Sequence, residues 1–303
     1  MPLLAWLETL LAVALWSTTP ILVKIALVEA SPLQIAAVRY FGGFLALLPV
    51  LLWRSRPAVR QLTRKMWGRL ALLGVLSFPI ANGLLFWGLR DLPATTSSFL
   101  LNGIPIFTLV IGAKWLAERP NRWQWLGVAV AFAGVALFFQ TNLEFGAWPA
   151  LAATLVAALA MSITGVMNRG LARSRRVGML VLVVLPMGIG GVVLMLVAPP
   201  TVVFSPNVVL VLAWLAVLNS ALAHLLVVHA QRRLKAFETG LAISLMPMGT
   251  AILSPLLLGE SVSGWAWVGI VVAMVGLLLV GLAGSRPRRA NPDASADCVS
   301  GTS

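Results

Sequence analysis

The sequence predicts an all-α integral membrane protein: ten transmembrane helices arranged as two inverted five-helix repeats. Three observations carry that reading: the composition, a gap-free internal duplication, and the alternation of basic and non-basic gaps between apolar runs. The 303 residues are 60% hydrophobic and only 10% charged, with a mean hydropathy of +0.96. A helix crosses a bilayer with about 20 mostly apolar residues, and this chain holds many such windows. The runs are continuous rather than alternating, so they read as helices and not as barrel strands.

The duplication runs from Ala94 to Leu137. Adding 142 to each number takes Ala94 to Ala236, Pro105 to Pro247, Glu118 to Glu260, Trp123 to Trp265, Gly127 to Gly269 and Gly134 to Gly276. Proline, glutamate, tryptophan and glycine are not interchangeable apolar filler, so the match reports a repeated unit.

Ten apolar spans follow, at about 5–27, 31–53, 67–89, 94–117, 123–139, 147–167, 177–198, 207–228, 236–258 and 265–283. The first repeat covers residues 5–139, the second 147–283, and 284–303 is a polar tail expected to be disordered and cytoplasmic. Of the 22 basic residues, 18 fall in the even-numbered gaps and the tail, and only Arg90 falls in an odd one. Cytoplasmic gaps are the basic ones, so both termini are expected in the cytoplasm. With five spans per repeat, the second copy enters the membrane from the opposite side. Inverted repeats of this kind put a substrate site near the midplane between the halves. The basic 54–69 gap reads as a cytoplasmic loop, with an amphipathic segment on the lipid surface as the alternative.

Several classes are excluded. The net charge of +13 does not point to nucleic acid, because the basic residues sit in short gaps between apolar runs. Cys298 is the only cysteine, so no intramolecular disulfide and no thiolate metal site can form. The first run lacks a basic n-region and an A-x-A site, so it reads as a retained helix. No H-E-x-x-H, clustered acidic, G-x-S-x-G or Walker A motif is present, which leaves little to build an integral-membrane enzyme or an ATP-driven pump. No metal or other cofactor is expected.

Three stretches carry a family likeness: "SPLQIAAVRYFGG" opening span two, the mid-helix proline followed by "LAER" or "LLGE", and "WQWLGVAVAFAGV" or "WAWVGIVVAMVGL". Together they resemble the two EamA domains of the drug/metabolite transporter superfamily, over residues 5–283. The resemblance implies a ten-helix transporter of small metabolites, most often an exporter, with helices one to four of each half around a central cavity. "LAER" lacks the glycine that Gly259 supplies in the second half.

Candidate site residues follow from polarity at mid-membrane depth. Pro105 and Pro247 each remove a donor and free a carbonyl one turn earlier, near Leu101 and Ile243, and are expected to act as hinges. Ser98 and Asn102 share one helix face with Pro105, and Ser244 occupies the matching face beside Pro247. Asn82 plus 142 is His224, with Asn219 just before it. His224 either titrates for proton coupling or makes an uncharged interhelical hydrogen bond. Arg39 lies about 12 Å into span two. Either it holds an anionic substrate group, with Lys24 near the same level, or it fixes packing by bonding backbone carbonyls. Trp16 and Thr19 belong to a polar, proline-kinked centre in span one. The stripes Gly127, Ala131, Gly134 and Gly269, Ala273, Gly276 suit close helix packing in a scaffold or a homodimer.

The function expected from these readings is a secondary transporter in the cell membrane. It would export or exchange an amino acid or related solute by alternating access. A lipid or lipid-linked sugar flippase of the same fold is the alternative, and a membrane enzyme is third. The small-molecule substrate, the bilayer and a possible second copy are the expected partners.

Overall fold

The computed structural model of the protein describes residues 2–115, 121–139, 148–173, 177–201, 204–230, 242–243 and 245–284. Among the described residues all regular structure is helical. The 284–303 tail beyond Gly284, Glu118, Glu238 and Ser244 lie outside them.

In the first half the elements are α1 (Pro2–Ser17), α2 (Thr19–Ala26), α3 (Pro32–Arg54), α4 (Arg56–Arg60), α5 (Arg64–Val75), α6 (Gly83–Gly88), α7 (Ala94–Leu100), α8 (Gly103–Trp115) and α9 (Arg122–Phe139). The second half holds α10 (Trp148–Arg173), α11 (Met179–Val197), α12 (Pro206–Trp214), α13 (Ala223–Ala230), α14 (Met246–Leu258) and α15 (Gly264–Gly284). Leu76–Asn82 joins α5 to α6, and Leu215–Leu222 joins α12 to α13, each wound as a π-helix. Wide turns of this kind concentrate at functional sites.

Six stretches among the described residues are long and apolar enough to cross a bilayer: Leu3–Ala26, Pro32–Arg54, Arg64–Asp91, Trp148–Asn168, Met179–Val197 and Pro206–Ala230. Arg122–Phe138, Met246–Leu258 and Gly264–Val280 are shorter apolar helices. The stretch from Ala94 is interrupted at Leu101–Asn102.

Local chemistry accounts for the boundaries. Ser31 and Gln34 cap α3 reciprocally, Oγ accepting from the Gln34 N–H and the Gln34 side chain accepting from the Ser31 N–H. Pro20 stands at the second position of α2, where a missing N–H costs little, and α1 ends three residues before it at Ser17. Gly259 ends α14 with φ of 68°, a left-handed conformation that a side chain would strain.

Two packings fix the frame. The stripes of α9 and α15 face each other within one chain: a Cβ on Gly134 would lie 2.7 Å from the Gly269 carbonyl, and one on Gly276 would lie 2.6 Å from the Gly127 carbonyl. These stripes therefore serve an intrachain crossing between the halves. Likewise α11 crosses α3 closely, with Gly191 against the Phe41 backbone. The main core gathers Tyr40, Leu47, Phe78, Phe86, Val184 and Met187 around that crossing.

Candidate functional site

Hydroxyls from each half meet the break in the other. In the first half α7 stops at Leu100, and Leu101, Asn102 and Ile104 bond to carbonyls three residues back, tightening the chain before α8 resumes. Pro105 lies in the first turn of α8. In the second half Leu245 bonds back to Ala242, α14 begins at Met246, and buried Pro247 is its second residue. Ser162 of α10 donates to the carbonyl of Ile104, the residue before Pro105, at 3.1 Å. Ser17 of α1 donates to the carbonyl of Met246, the residue before Pro247, at 3.2 Å. Each serine is also bonded within its own helix, Ser17 to Val13 and Ser162 to Ala158. Back-bonding of this kind costs a helix little, and it leaves each hydroxyl within reach of the other half.

From Ser17 a polar run crosses the interior. Thr250 Oγ1 lies 3.0 Å from the Ser17 carbonyl, 3.1 Å from Ser98 Oγ and 3.1 Å from the Met246 carbonyl. Trp16 Nε1 donates to the Asn219 carbonyl at 2.9 Å. Asn219 Nδ2 faces three acceptors, the Leu15 carbonyl and the hydroxyls of Thr18 and Thr19, at 2.8, 3.1 and 2.8 Å. Arg39 Nε donates to Ser220 Oγ at 2.8 Å. The Arg39 guanidinium carbon sits 5.0 Å from the Tyr40 ring and 5.5 Å from the Phe86 ring, within cation–π range. His224 Nδ1 lies 2.8 Å from the Ser220 carbonyl, so that nitrogen carries the proton, and the ring stands edge-on to Trp16 at 5.2 Å.

Of the residues singled out from sequence, Trp16, Thr19, Arg39, Ser98, Asn219 and His224 thus join one run. Asn102 is buried in the turn between α7 and α8 with Nδ2 unpaired. Asn82 Nδ2 donates to the Ser77 carbonyl at 2.7 Å, a bond within its own helix that takes up a carbonyl of the π segment. The His224 bond to Ser220 does the same job in the other π segment, and it is not interhelical. Arg39 bonds a side-chain hydroxyl and not the backbone carbonyls that one reading expected. Ser244 falls outside the described residues.

Lys24 does not join Arg39. Its Nζ pairs with Glu260 Oε1 at 3.1 Å. The Glu260 carboxylate also accepts the Ala94 N–H, at 3.0 Å to each oxygen, and the Ser254 hydroxyl. Burial raises the Glu260 pKa, but Ser254, the Ala94 N–H and Lys24 lower it more, so the carboxyl is held below its ordinary range. At the same end, Glu29 accepts from the Ser205 N–H and hydroxyl at 2.8 and 2.6 Å, and Gln34 Nε2 donates to the Pro199 carbonyl and Thr201. The Ser205 bonds keep the Glu29 carboxyl below its usual range too. All of these contacts except the Ser254 bond, which lies within the second half, join the first half to the second.

Sequence reasoning underweighted Ser162, Ser220, Thr250 and Glu260. Ser17 and Ser162 are displaced by 145 rather than 142, as are Thr9 and Thr154. Both threonines bond back to the carbonyl four residues earlier. A search in the second register would have paired them.

The EamA-like transporter family model matches residues 3–140 and again 148–282. A probable amino-acid metabolite efflux pump of Salmonella typhimurium is 25% identical over 294 residues, covering 92% of this chain and 95% of that one. A probable terminal-alkyne amino-acid exporter of Streptantibioticus cattleyicolor is 33% identical over 105 residues, covering 33% of this chain and 34% of its own. The inner membrane transporter YedA of Escherichia coli is 26% identical over 141 residues, 45% of this chain and 44% of that one. One crystal structure superposes with a TM-score of 0.69 at 18% identity, over 92% of this chain and 96% of that one, which shows a shared fold. The apolar helices and these relatives make this a multi-pass membrane protein, and the relatives' names point to transport rather than catalysis. The chain belongs to the EamA-like transporter family.

Proposed function

We propose that the protein is a secondary transporter that exports or exchanges an amino acid or related small solute by alternating access of two inverted five-helix halves. Ten helices cross the membrane with both termini in the cytoplasm. The observation that carries the reading is the reciprocal grip at the broken helices, Ser17 on the Met246 carbonyl and Ser162 on the Ile104 carbonyl. The same contact is made twice, once by each half on the other, at the residue before the proline in the first turn of α8 or α14. A pair of halves that rock about a midplane site needs joints of this kind, and Pro105 and Pro247 are the hinges.

Substrate sits among Trp16, Thr19, Arg39, Ser98, Asn102, Asn219 and His224, with Asn82 flanking. The Lys24, Glu29 and Gln34 contacts lie at the end assigned to the outside, so the arrangement is closed there. Two relatives carry names that specify amino acids or their metabolites. The testing experiment is counterflow in proteoliposomes with a panel of labelled amino acids. Accumulation of one of them against unlabelled solute is expected. Failure of the whole panel to exchange, in protein shown to be folded and inserted, would overturn the reading.

A further inference from the structure

A buried cation normally has a buried counter-ion, and among the described residues Arg39 has none. The residue is 3% exposed, its Nη1 has no hydrogen-bond partner, and one serine hydroxyl takes its Nε. Two aromatic rings flank the guanidinium. Among the described residues the carboxylates are placed elsewhere: Glu8 is on His229, Glu29 on Ser205, Glu260 on Lys24 and Ala94, and Asp91 is exposed. An unpaired charge in an apolar interior is costly, and arginine cannot shed its proton to escape. One hydroxyl and two rings do not supply the missing negative charge. One residue before Ser220, Asn219 shows the opposite deficit. Its Nδ2 faces three acceptors, while its Oδ1 is buried with no donor.

We infer that Arg39 is the carboxylate anchor of the transport site, and that solutes with a free carboxylate are its substrates. The inference rests on the transporter reading and deepens it. The guanidinium fork receives the carboxylate, and Asn219 Oδ1 accepts a hydrogen bond from the neighbouring α-ammonium group. Lys24, held by Glu260, takes no part. The α-carboxylate is common to all amino acids, so the anchor sets the class and leaves the side chain to be read by other groups.

Binding is measured apart from transport, by ligand-induced shift of thermal unfolding in purified protein. The probes are aliphatic, aromatic, basic and acidic L-amino acids, each with its carboxamide and its decarboxylated amine. At least one amino acid is expected to raise the unfolding temperature of the wild type, with its amide and amine at least about tenfold weaker, as fits loss of a charged hydrogen bond. Arg39→Gln is expected to bind amino acid and amide alike. If that variant does not assemble, Arg39→Lys, which keeps the charge and loses the fork, is expected to bind about tenfold more weakly. Equal binding of acid, amide and amine by the wild type would overturn the anchor. So would unchanged preference in Arg39→Gln, unchanged affinity in Arg39→Lys, or no response to any acid. Carboxylate-selective binding without counterflow would sink the transporter reading and leave the anchor standing.

Discussion

Removing the Glu260 charge should unlatch the end of the bundle assigned to the outside. The carboxylate is 16% exposed and Lys24 27%, so the pair is partly screened. An ion pair in that setting contributes about 0.2–1 kcal/mol, and the charge-assisted bonds from the Ala94 N–H and Ser254 add about 1.5–3 kcal/mol when deleted together with it. Glu260→Gln keeps one acceptor for Ala94 and loses the rest, about 1.5 kcal/mol, or roughly tenfold in the closed-to-open ratio. Glu260→Ala leaves three donors without an acceptor, about 2–4 kcal/mol, or on the order of a hundredfold. Thr95 is 4% exposed at the start of α7, beside the Ala94 N–H that Glu260 binds, and reports opening. In a Thr95→Cys, Cys298→Ser background, a membrane-impermeant maleimide applied from outside should react slowly. Adding Glu260→Gln should speed labelling about tenfold and Glu260→Ala still more. Labelling that is equally slow in all three proteins would refute the latch.

Other expectations follow from the same geometry. Because the Glu260 carboxyl is held below its ordinary range, its contribution to the closed form is present above about pH 4.5 and lost as pH falls through the lowered value; the Thr95→Cys labelling rate should stay flat from about pH 6 to 8 and rise only in acid. Glycine to alanine within a helix ordinarily stabilises by about 0.5–1 kcal/mol, and Gly165→Ala should do so, since nothing lies within 4 Å of its new Cβ. Gly134→Ala should instead destabilise by about 1–3 kcal/mol, because its Cβ would press on the α15 backbone; thermal unfolding of the two variants checks the opposite signs. Ser17→Ala and Ser162→Ala should each slow exchange by a similar factor with little loss of stability, about 1 kcal/mol. A change in one and none in the other would break the equivalence of the two joints.

Much of this fold is legible in the sequence because lipid leaves few options. Apolar length marks the helices, and the prolines at 105 and 247 stand just after the interruptions at Leu101–Asn102 and Leu245. The paired glycine stripes announced a close crossing, though not that they would meet each other. The candidate site was legible only as polarity at depth. Trp16 stood out because it lies too deep for an interfacial belt, and Arg39 and Asn219 because cations and amides are scarce at mid-membrane depth. Ser17 and Ser162 did not, since serine is common in membrane helices and the first helices of the two halves run in a shifted register. Lys24 misled for a geometric reason. Its sequence depth approaches that of Arg39, but its flexible stem carries the ammonium to Glu260 on the other half. Nothing in the spacing of Lys24, Ala94 and Glu260 discloses that three distant segments converge.

The central claim, that the halves alternate about a midplane site, is tested most directly by fixing one end closed. Glu29 and Ser205 touch across the halves at 2.6 Å. Cysteines at both positions, in a Cys298→Ser background, are bridged with a short thiol-specific, reducible cross-linker, and counterflow of the labelled amino acid is followed before and after reduction. The account predicts that bridging stops exchange, that reduction restores it, and that either single cysteine is unaffected. Exchange at an undiminished rate through fully bridged protein would contradict alternating access.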